Sequence, residues 1–308
     1  MTTAVVFAYH DVGARCLRVL LAHGVDVALV VTHADDPGEN IWFECVADVS
    51  RSYGIETIAP QHPNDEATVA RIAHCAPDFL FSFYYRAMLG PSLLAMAPRG
   101  PLNMHGSLLP KYRGRAPVNW AILNGERCTG ATLHYMTEKP DAGDIVAQQA
   151  VPILPDDAAI DVFRKVTVAA EIALDRVLPS LIDGTASRRA QNLAEGSYFG
   201  ARKADDGRID WSRTAREIHD LVRAVAPPYP GAFTTINGAA ARVLSTRVIE
   251  AAIAAGAAPR VDVRDDRIIA HCGGGGALDI RALEIDGSLA SAQSLKTRWG
   301  DTPLVPGP

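Results

Sequence analysis

The chain has 308 residues, 48% hydrophobic and 21% charged, with 25 Gly and 20 Pro, a globular composition that excludes wholesale disorder, collagen and coiled coil. At about 150 residues per domain, this length suits two domains or one large α/β domain with an appendage. With 30 Lys plus Arg against 35 Asp plus Glu, the net charge of −5 is opposite to the basic excess of a dedicated nucleic-acid binder.

The first apolar run, Ala4 to Tyr9, is short, rich in β-formers and stopped by His10, Asp11 and Gly13, which predicts a buried parallel strand. Leu17, Leu20 and Leu21 then recur at helical spacing, and His23-Gly24 supplies the stop. A strand over Val25 to Thr32 follows, then a polar turn-rich stretch from His33 to Asn40 and a helix over Trp42 to Tyr53 ended by Gly54. A β segment at Thr57 to Ala59, a helix over Glu66 to Ala73 and a strand over Phe79 to Phe83 continue the alternation. Strand and helix alternating in this way predict an α/β fold with a Rossmann-like, mainly parallel sheet covered on both faces. Ligands of such sheets collect beyond the carboxyl ends of strands, so the loops after Tyr9, Phe83 and Met104 are where chemistry is expected. The turn Tyr9-His10-Asp11-Val12-Gly13 is not a Gly-x-Gly-x-x-Gly fingerprint, which disfavours a dinucleotide cofactor.

Further strands are predicted over Thr132 to Met136 and Ile145 to Val151, then a long helix over Ala158 to Ile182, with Asp156 and Asp157 as N-cap candidates. Phe163, Val166, Ala170, Leu174, Val177 and Leu181 fall three or four apart and define its packed face. Gly184 ends that pattern. Residues 1–190 read as the catalytic domain, 191–206 as a linker and 207–308 as a smaller β-rich domain. The last opens with a helix over Thr214 to Val225 and continues in short strands to about Ile285, a barrel-like pattern of the OB type. The Ala-rich stretch Ala251 to Ala258 reads as a surface connection.

No uncharged apolar run approaches the roughly 18 residues of a membrane helix, and the first ten residues lack the pattern of a signal peptide; a soluble, cytoplasmic protein without membrane insertion is expected. Five widely spaced cysteines, Cys16, Cys45, Cys75, Cys128 and Cys272, suggest neither a disulfide framework nor a zinc site. The nine histidines are scattered without metal-binding spacing, so no metal is expected.

The segment carrying chemistry is Leu102-Asn103-Met104-His105-Gly106-Ser107-Leu108-Leu109-Pro110. Strand side chains alternate, so Asn103 and His105 point to one face and Met104 to the other. An Asn amide can stabilise a developing oxyanion, and a His can move a proton near neutral pH. Asp141, in the turn Pro140-Asp141-Ala142-Gly143, can return to the same crevice as an anion that favours imidazolium. Together the three suit transfer of an acyl group to an amine. Each also has a plainer reading: Asn-x-His as loop hydrogen bonding, Asp141 as a turn residue, and Lys111, Arg113 and Arg115 as a solvated loop. His10, His33 and Cys128 read as packing residues, and Phe81, Phe83, Tyr84 and Tyr85 as core.

The run from Asn103 to Pro117 (NMHGSLLPKYRGRAP), followed by Thr129-Gly130-Ala131-Thr132-Leu133 and Asp141-Ala142-Gly143-Asp144-Ile145, resembles the formyltransferases that use 10-formyltetrahydrofolate. The likeness includes Phe7 to Asp11, Thr32-His33, Asp36 to Glu39, Phe81 to Arg86 and Val222 to Ala226, and weakens after about Val248. It is greatest to the members that act on UDP-4-amino-4-deoxy-L-arabinose, in lipid A modification and polymyxin resistance. The resemblance implies that Asn103 stabilises the tetrahedral transition state, that His105 donates and accepts the proton, and that Asp141 favours the charged form of His105. It also implies that the folate lies along Ala87, Met88 and Leu89 and along Thr137, Glu138, Lys139, Pro140 and Asp141, with Arg115 contributing. A UDP-linked amino sugar is the implied partner, with a functional link to a UDP-glucuronate decarboxylase domain, which follows this region in the bifunctional relatives. Methionyl-tRNA is the rival acceptor; 12 Lys plus Arg against 12 Asp plus Glu from Asp206 to Pro308 give no basic surface for it. Formyltransferases of dTDP-linked amino sugars and, more remotely, a noncatalytic folate or nucleotide binder complete the alternatives.

Overall fold

The computed structural model describes residues 1–249 and 255–307; the beginning of the Ala251 to Ala258 connection lies outside them. The chain divides into two units: Met1–Pro117, Cys128–Pro152 and Phe163–Gly200 form the first, and Val118–Arg127, Ile153–Val162 and Ala201–Pro308 the second.

The first unit is built from β1 (Thr3–Ala8), α1 (His10–Ala22), β2 (Asp26–Val31), α2 (Val46–Ser52), β3 (Thr57–Ile58), α3 (Glu66–His74), β4 (Phe79–Phe83), α4 (Pro91–Leu94) and β5 (Gly100–His105). Its sheet runs β3-β2-β1-β4-β5 in parallel. The antiparallel strands β7 (Cys128–Tyr135) and β8 (Ile145–Pro152) extend it, following the two-residue β6 (Arg113–Gly114) and the helix α5 (Pro117–Leu123). The central strands carry apolar side chains to both faces: all five residues of β4 are buried, and Val5, Phe7, Leu80, Phe81 and Leu102 are fully enclosed. Each such Leu or Phe contributes about 1.5–3 kcal/mol, which explains why these strands read as continuous apolar runs rather than alternating ones.

Three local expectations are corrected. The helix expected from Trp42 begins only at Val46, because Trp42 and Phe43 are drawn into an aromatic cage around His10. The strand expected from Thr132 begins at Cys128; Gly130 lets it approach β8, where a Cβ would lie 2.1 Å from the Gln149 carbonyl oxygen. The long helix α6 (Ala159–Asp183) is not capped by Asp156 or Asp157. Asp157 accepts from the Leu154 N–H, and Asp161 reaches back to the Ala158 N–H, the acidic arm of a capping box. On its packed face Leu178 is enclosed while Val177 is half-buried.

After α6 the chain makes β9 (Tyr198–Phe199), parallel to β6. The second unit then contains α7 (Ala215–Val225), β10 (Ala232–Ile236), β11 (Ala239–Ile249), β12 (Arg260–Arg264), β13 (Arg267–His271), β14 (Ala277–Ile285), β15 (Ser288–Leu289), α8 (Ala292–Trp299) and β16 (Pro306–Gly307). Its sheet runs β12-β13-β14-β11-β10-β16. Leu304 bridges to Val261 on β12, while Pro306 and Gly307 pair with Ile236 and Thr235 on β10. The last few residues thus tie together the two outer strands and make the sheet nearly closed, which protects edges that an open sheet would expose. Trp211, Ile218, Val222, Val243, Leu278 and Leu283 fill its interior. Thr214 and Glu217 form a reciprocal capping box at the start of α7.

Candidate active site

Asn103 and His105 lie two apart on β5, and Asn103 sits opposite His134 on the antiparallel neighbour β7. Alternation therefore brings Asn103, His105 and His134 to one face of the sheet. The Asn103 Nδ2 and His134 Nε2 atoms are 3.1 Å apart. Because His134 Nδ1 lies 2.8 Å from the Tyr135 carbonyl oxygen, Nδ1–H donates there and Nε2 accepts from the Asn103 amide. That contact fixes which way the amide faces and occupies one of its two N–H groups.

His105 is held from the other side. Its Nε2 donates to the Tyr112 carbonyl oxygen at 2.7 Å, and its Nδ1 faces Asp141 Oδ1 at 3.5 Å. The same carboxylate oxygen is 3.5 Å from His134 Nε2, so one anion bridges two imidazoles. Asp141 Oδ2 accepts from the Gly114 N–H at 2.9 Å. Burial works against the carboxylate, but it is outweighed chiefly by His105, with the Gly114 N–H adding to the effect, so that the Asp141 carboxyl is held well below the usual carboxylate range.

The backbone around these side chains is locally specialised. Asp141 has φ of 52° and Tyr112 of 58°, left-handed conformations that cost a non-glycine residue about 1–2 kcal/mol and here turn the Asp141 carboxylate and the Tyr112 carbonyl toward the histidines. Gly114, with φ of +96°, is required: a Cβ there would lie 2.1 Å from the Phe199 carbonyl oxygen.

The structure therefore gathers Asn103, His105 and Asp141, which the sequence singled out, and adds His134, which it did not. His134 lies within the expected strand Thr132 to Met136. The available signal was the same two-residue alternation, coupled to an antiparallel register that the α/β pattern does not announce. The remaining candidates lie nearby in two segments. Leu89 is buried in the cluster of Val5, Phe7, Leu80 and Leu93, and Met136 packs against that cluster, so Ala87 to Leu89 and Thr137 to Asp141 flank common apolar packing. Met88, Thr137, Glu138 and Lys139 are exposed, whereas Ala87 and Pro140 are half-buried. Arg115 is exposed, while Arg113 is buried and so does not belong to a solvated loop.

The histidines read as packing residues prove more specific. The His10 ring stacks on Phe43 at 3.8 Å between centroids and meets the edges of Trp42 and Phe163. Burial pushes its pKa down to about 3, with the Arg86 cation adding to the effect. His33 stacks on Tyr85 and accepts from the Arg86 N–H.

The sequence matches the formyl transferase family over residues 14–178 and the formyl transferase C-terminal domain over residues 202–296. The fold is similar to that of an N-formyltransferase from Helicobacter canadensis, solved in complex with folinic acid and dTDP-3-aminofucose, at 20% identity and a TM-score of 0.70 over 91% of this chain and 99% of that one. It is also similar to WlaRD, a sugar 3N-formyltransferase solved with dTDP and 5-N-formyl-THF, at 19% identity and a TM-score of 0.73 over 94% and 99%. A 4-N formyltransferase from Francisella tularensis matches at 21% identity and a TM-score of 0.61 over 75% and 91%. With the first match covering more than half of its length and a second accounting for the closed sheet, the chain belongs to the formyl transferase family.

Proposed function

We propose that the protein transfers a formyl group from 10-formyltetrahydrofolate to the 4-amino group of UDP-4-amino-4-deoxy-L-arabinose, a step of lipid A modification. The observation that carries the chemistry is the convergence of Asn103, His105 and His134 around Asp141, with both His105 and His134 3.5 Å from Asp141 Oδ1. An amine attacking a formyl carbon pushes negative charge onto the formyl oxygen, and an amide N–H already oriented by the protein stabilises that charge without reorganising. The amine must also shed a proton, and His105 Nδ1, the ring nitrogen not donating to the Tyr112 carbonyl, is the one left to accept it and return it to the departing nitrogen, with the Asp141 carboxylate beside it to offset the charge it gains.

The folate supplies the activated formyl carbon when bound. Several features of this chain suit it. Ala87 to Leu89 and Thr137 to Asp141 flank an apolar cluster that includes Leu89 and Met136, which suits the flat face of a ring system, and exposed Arg115 can meet its carboxylates. The structural neighbours solved with folinic acid or 5-N-formyl-THF support the same donor.

The acceptor has a second reading with its own support, a dTDP-linked amino sugar, since two of the similar structures carry dTDP or dTDP-3-aminofucose. The deciding experiment is an assay with 10-formyltetrahydrofolate and, separately, UDP-4-amino-4-deoxy-L-arabinose, a dTDP-4-amino sugar and methionyl-tRNA, with products identified by mass spectrometry. Formylation of the UDP-pentose is expected. Formylation of the dTDP sugar alone would replace the acceptor and keep the chemistry.

A further inference from the structure

The stretch from Arg189 to Phe199, between α6 and the second unit's Ala201–Pro308 segment, is laced to both loops that carry the site. Arg189 exchanges backbone hydrogen bonds with Ile145, just beyond the Asp141 turn. Gln191 Nε2 donates to the Asp141 carbonyl at 3.0 Å and to the Gly143 carbonyl at 2.6 Å. Farther on, Ser197 Oγ accepts from the Tyr112 N–H, the Ser197 carbonyl accepts from the Arg113 N–H, and the Phe199 carbonyl from the Arg115 N–H. Tyr112 also stacks on Phe199.

Gln191 is the member of this strap whose side chain holds the Asp141 turn. Its amide nitrogen spends both N–H groups on carbonyls of one turn, while its Oε1 is buried without a hydrogen bond. The reverse orientation would set Oε1 against two carbonyl oxygens, so the clamp has one sense only. It grips a turn that is strained, since Asp141 is left-handed, and tightly seated, since a Cβ on Gly143 would lie 2.0 Å from the Tyr135 carbonyl oxygen. We propose that Gln191 is a positioning residue for catalysis: by pinning the Asp141–Gly143 turn it keeps the Asp141 carboxylate between His105, His134 and the Gly114 N–H. The inference rests on the reading of Asp141 as part of the catalytic site.

Without the clamp the turn relaxes, and the carboxylate recedes from the groups that face it: His105 on β5, His134 on β7 and the Gly114 N–H on β6. Geometry lost in this way is paid in turnover rather than in binding. The first test needs no acceptor. The carboxyl carbon of Asp141 is titrated by NMR in the wild-type protein and in Gln191→Ala; the variant is expected to titrate at least about one pH unit closer to an ordinary carboxylate. The second is a double-mutant cycle in the assay above. Gln191→Ala is expected to lower kcat about tenfold with KM within about twofold, and Gln191→Glu, isosteric but without donors, to lower it further. In an Asp141→Asn background Gln191→Ala should cost less than about twofold more, because the group it positions is already lost.

An unmoved Asp141 titration, or losses that multiply in the cycle, overturns the inference and leaves Gln191 a local fold contact. Asp141→Asn at full turnover overturns the site reading and the inference together. An impaired Asp141→Asn beside an unimpaired Gln191→Ala overturns the inference alone.

Discussion

Two histidines at the carboxyl edge of the same parallel sheet are almost equally buried, His10 at 8% exposed and His105 at 7%, yet their surroundings are opposite. His10 sits among Phe43, Trp42 and Phe163, where its Nδ1 accepts from the Asp11 N–H and a nearby arginine cation opposes protonation. His105 has an oxygen opposite each ring nitrogen, the Tyr112 carbonyl and the Asp141 carboxylate. The first environment disfavours a proton on the ring, whereas the second sets an oxygen beside each ring nitrogen. Burial alone therefore does not mark a catalytic histidine; the partners do.

The comparison breaks if the two sites behave alike. The largest expected effect is on the polar side, where His105→Ala and Asn103→Ala each lower turnover by at least about a hundredfold, as for groups acting in the transition state. Steady-state kinetics on variants with unchanged circular dichroism checks this, and near-normal rates would remove both from the reaction. Asp141→Asn is expected to cost about tenfold to a hundredfold, and turnover unchanged within twofold would leave Asp141 a turn residue. His134→Phe, which removes the acceptor that orients the Asn103 amide, is expected to cost about tenfold; turnover unchanged within twofold would show that Asn103 needs no such guide.

Much of this was legible in the residues. The run through Asn103 and His105 carries its own strand alternation, and parallel strands buried on both faces announce themselves as unbroken apolar segments such as Phe79–Phe83. What was hidden depends on contacts between distant segments. His134 joins the site through the antiparallel register of β5 and β7, which an alternating strand-helix pattern does not encode. Gln191 looked like the start of a linker, because a side chain that clamps a turn 50 residues away has no periodicity to betray it. Trp42 and Phe43 continued a helical pattern, but packing around His10 outweighed that local preference, and the helix starts at Val46 instead.

The smallest effect expected is also the one that tests the apolar side of the comparison directly. His10 has a folded pKa of about 3 against about 6.5 in an unfolded chain. Above about pH 6.5 neither state binds the proton, and this histidine adds no pH dependence. Below that the unfolded state takes up a proton that the caged ring refuses, so stability falls as the pH drops toward 3, with a limiting slope of about 1.4 kcal/mol per pH unit. Asp141 acts in the same direction but lower: its depressed carboxyl contributes stability that is present above about pH 4 and lost as the pH falls further. Denaturant unfolding at a series of pH values separates the two, since His10→Asn, a residue that tolerates the left-handed φ of 67° at this position, removes the slope that opens below about pH 6.5, ahead of the loss from Asp141 that opens only near about pH 4. The variant is less stable at pH 7 because the aromatic cage is left partly empty, yet its stability changes less on acidification than that of the wild type. A wild-type curve flat over this interval would show that His10 takes up its proton without leaving the cage, and the contrast with His105 would then rest on geometry alone.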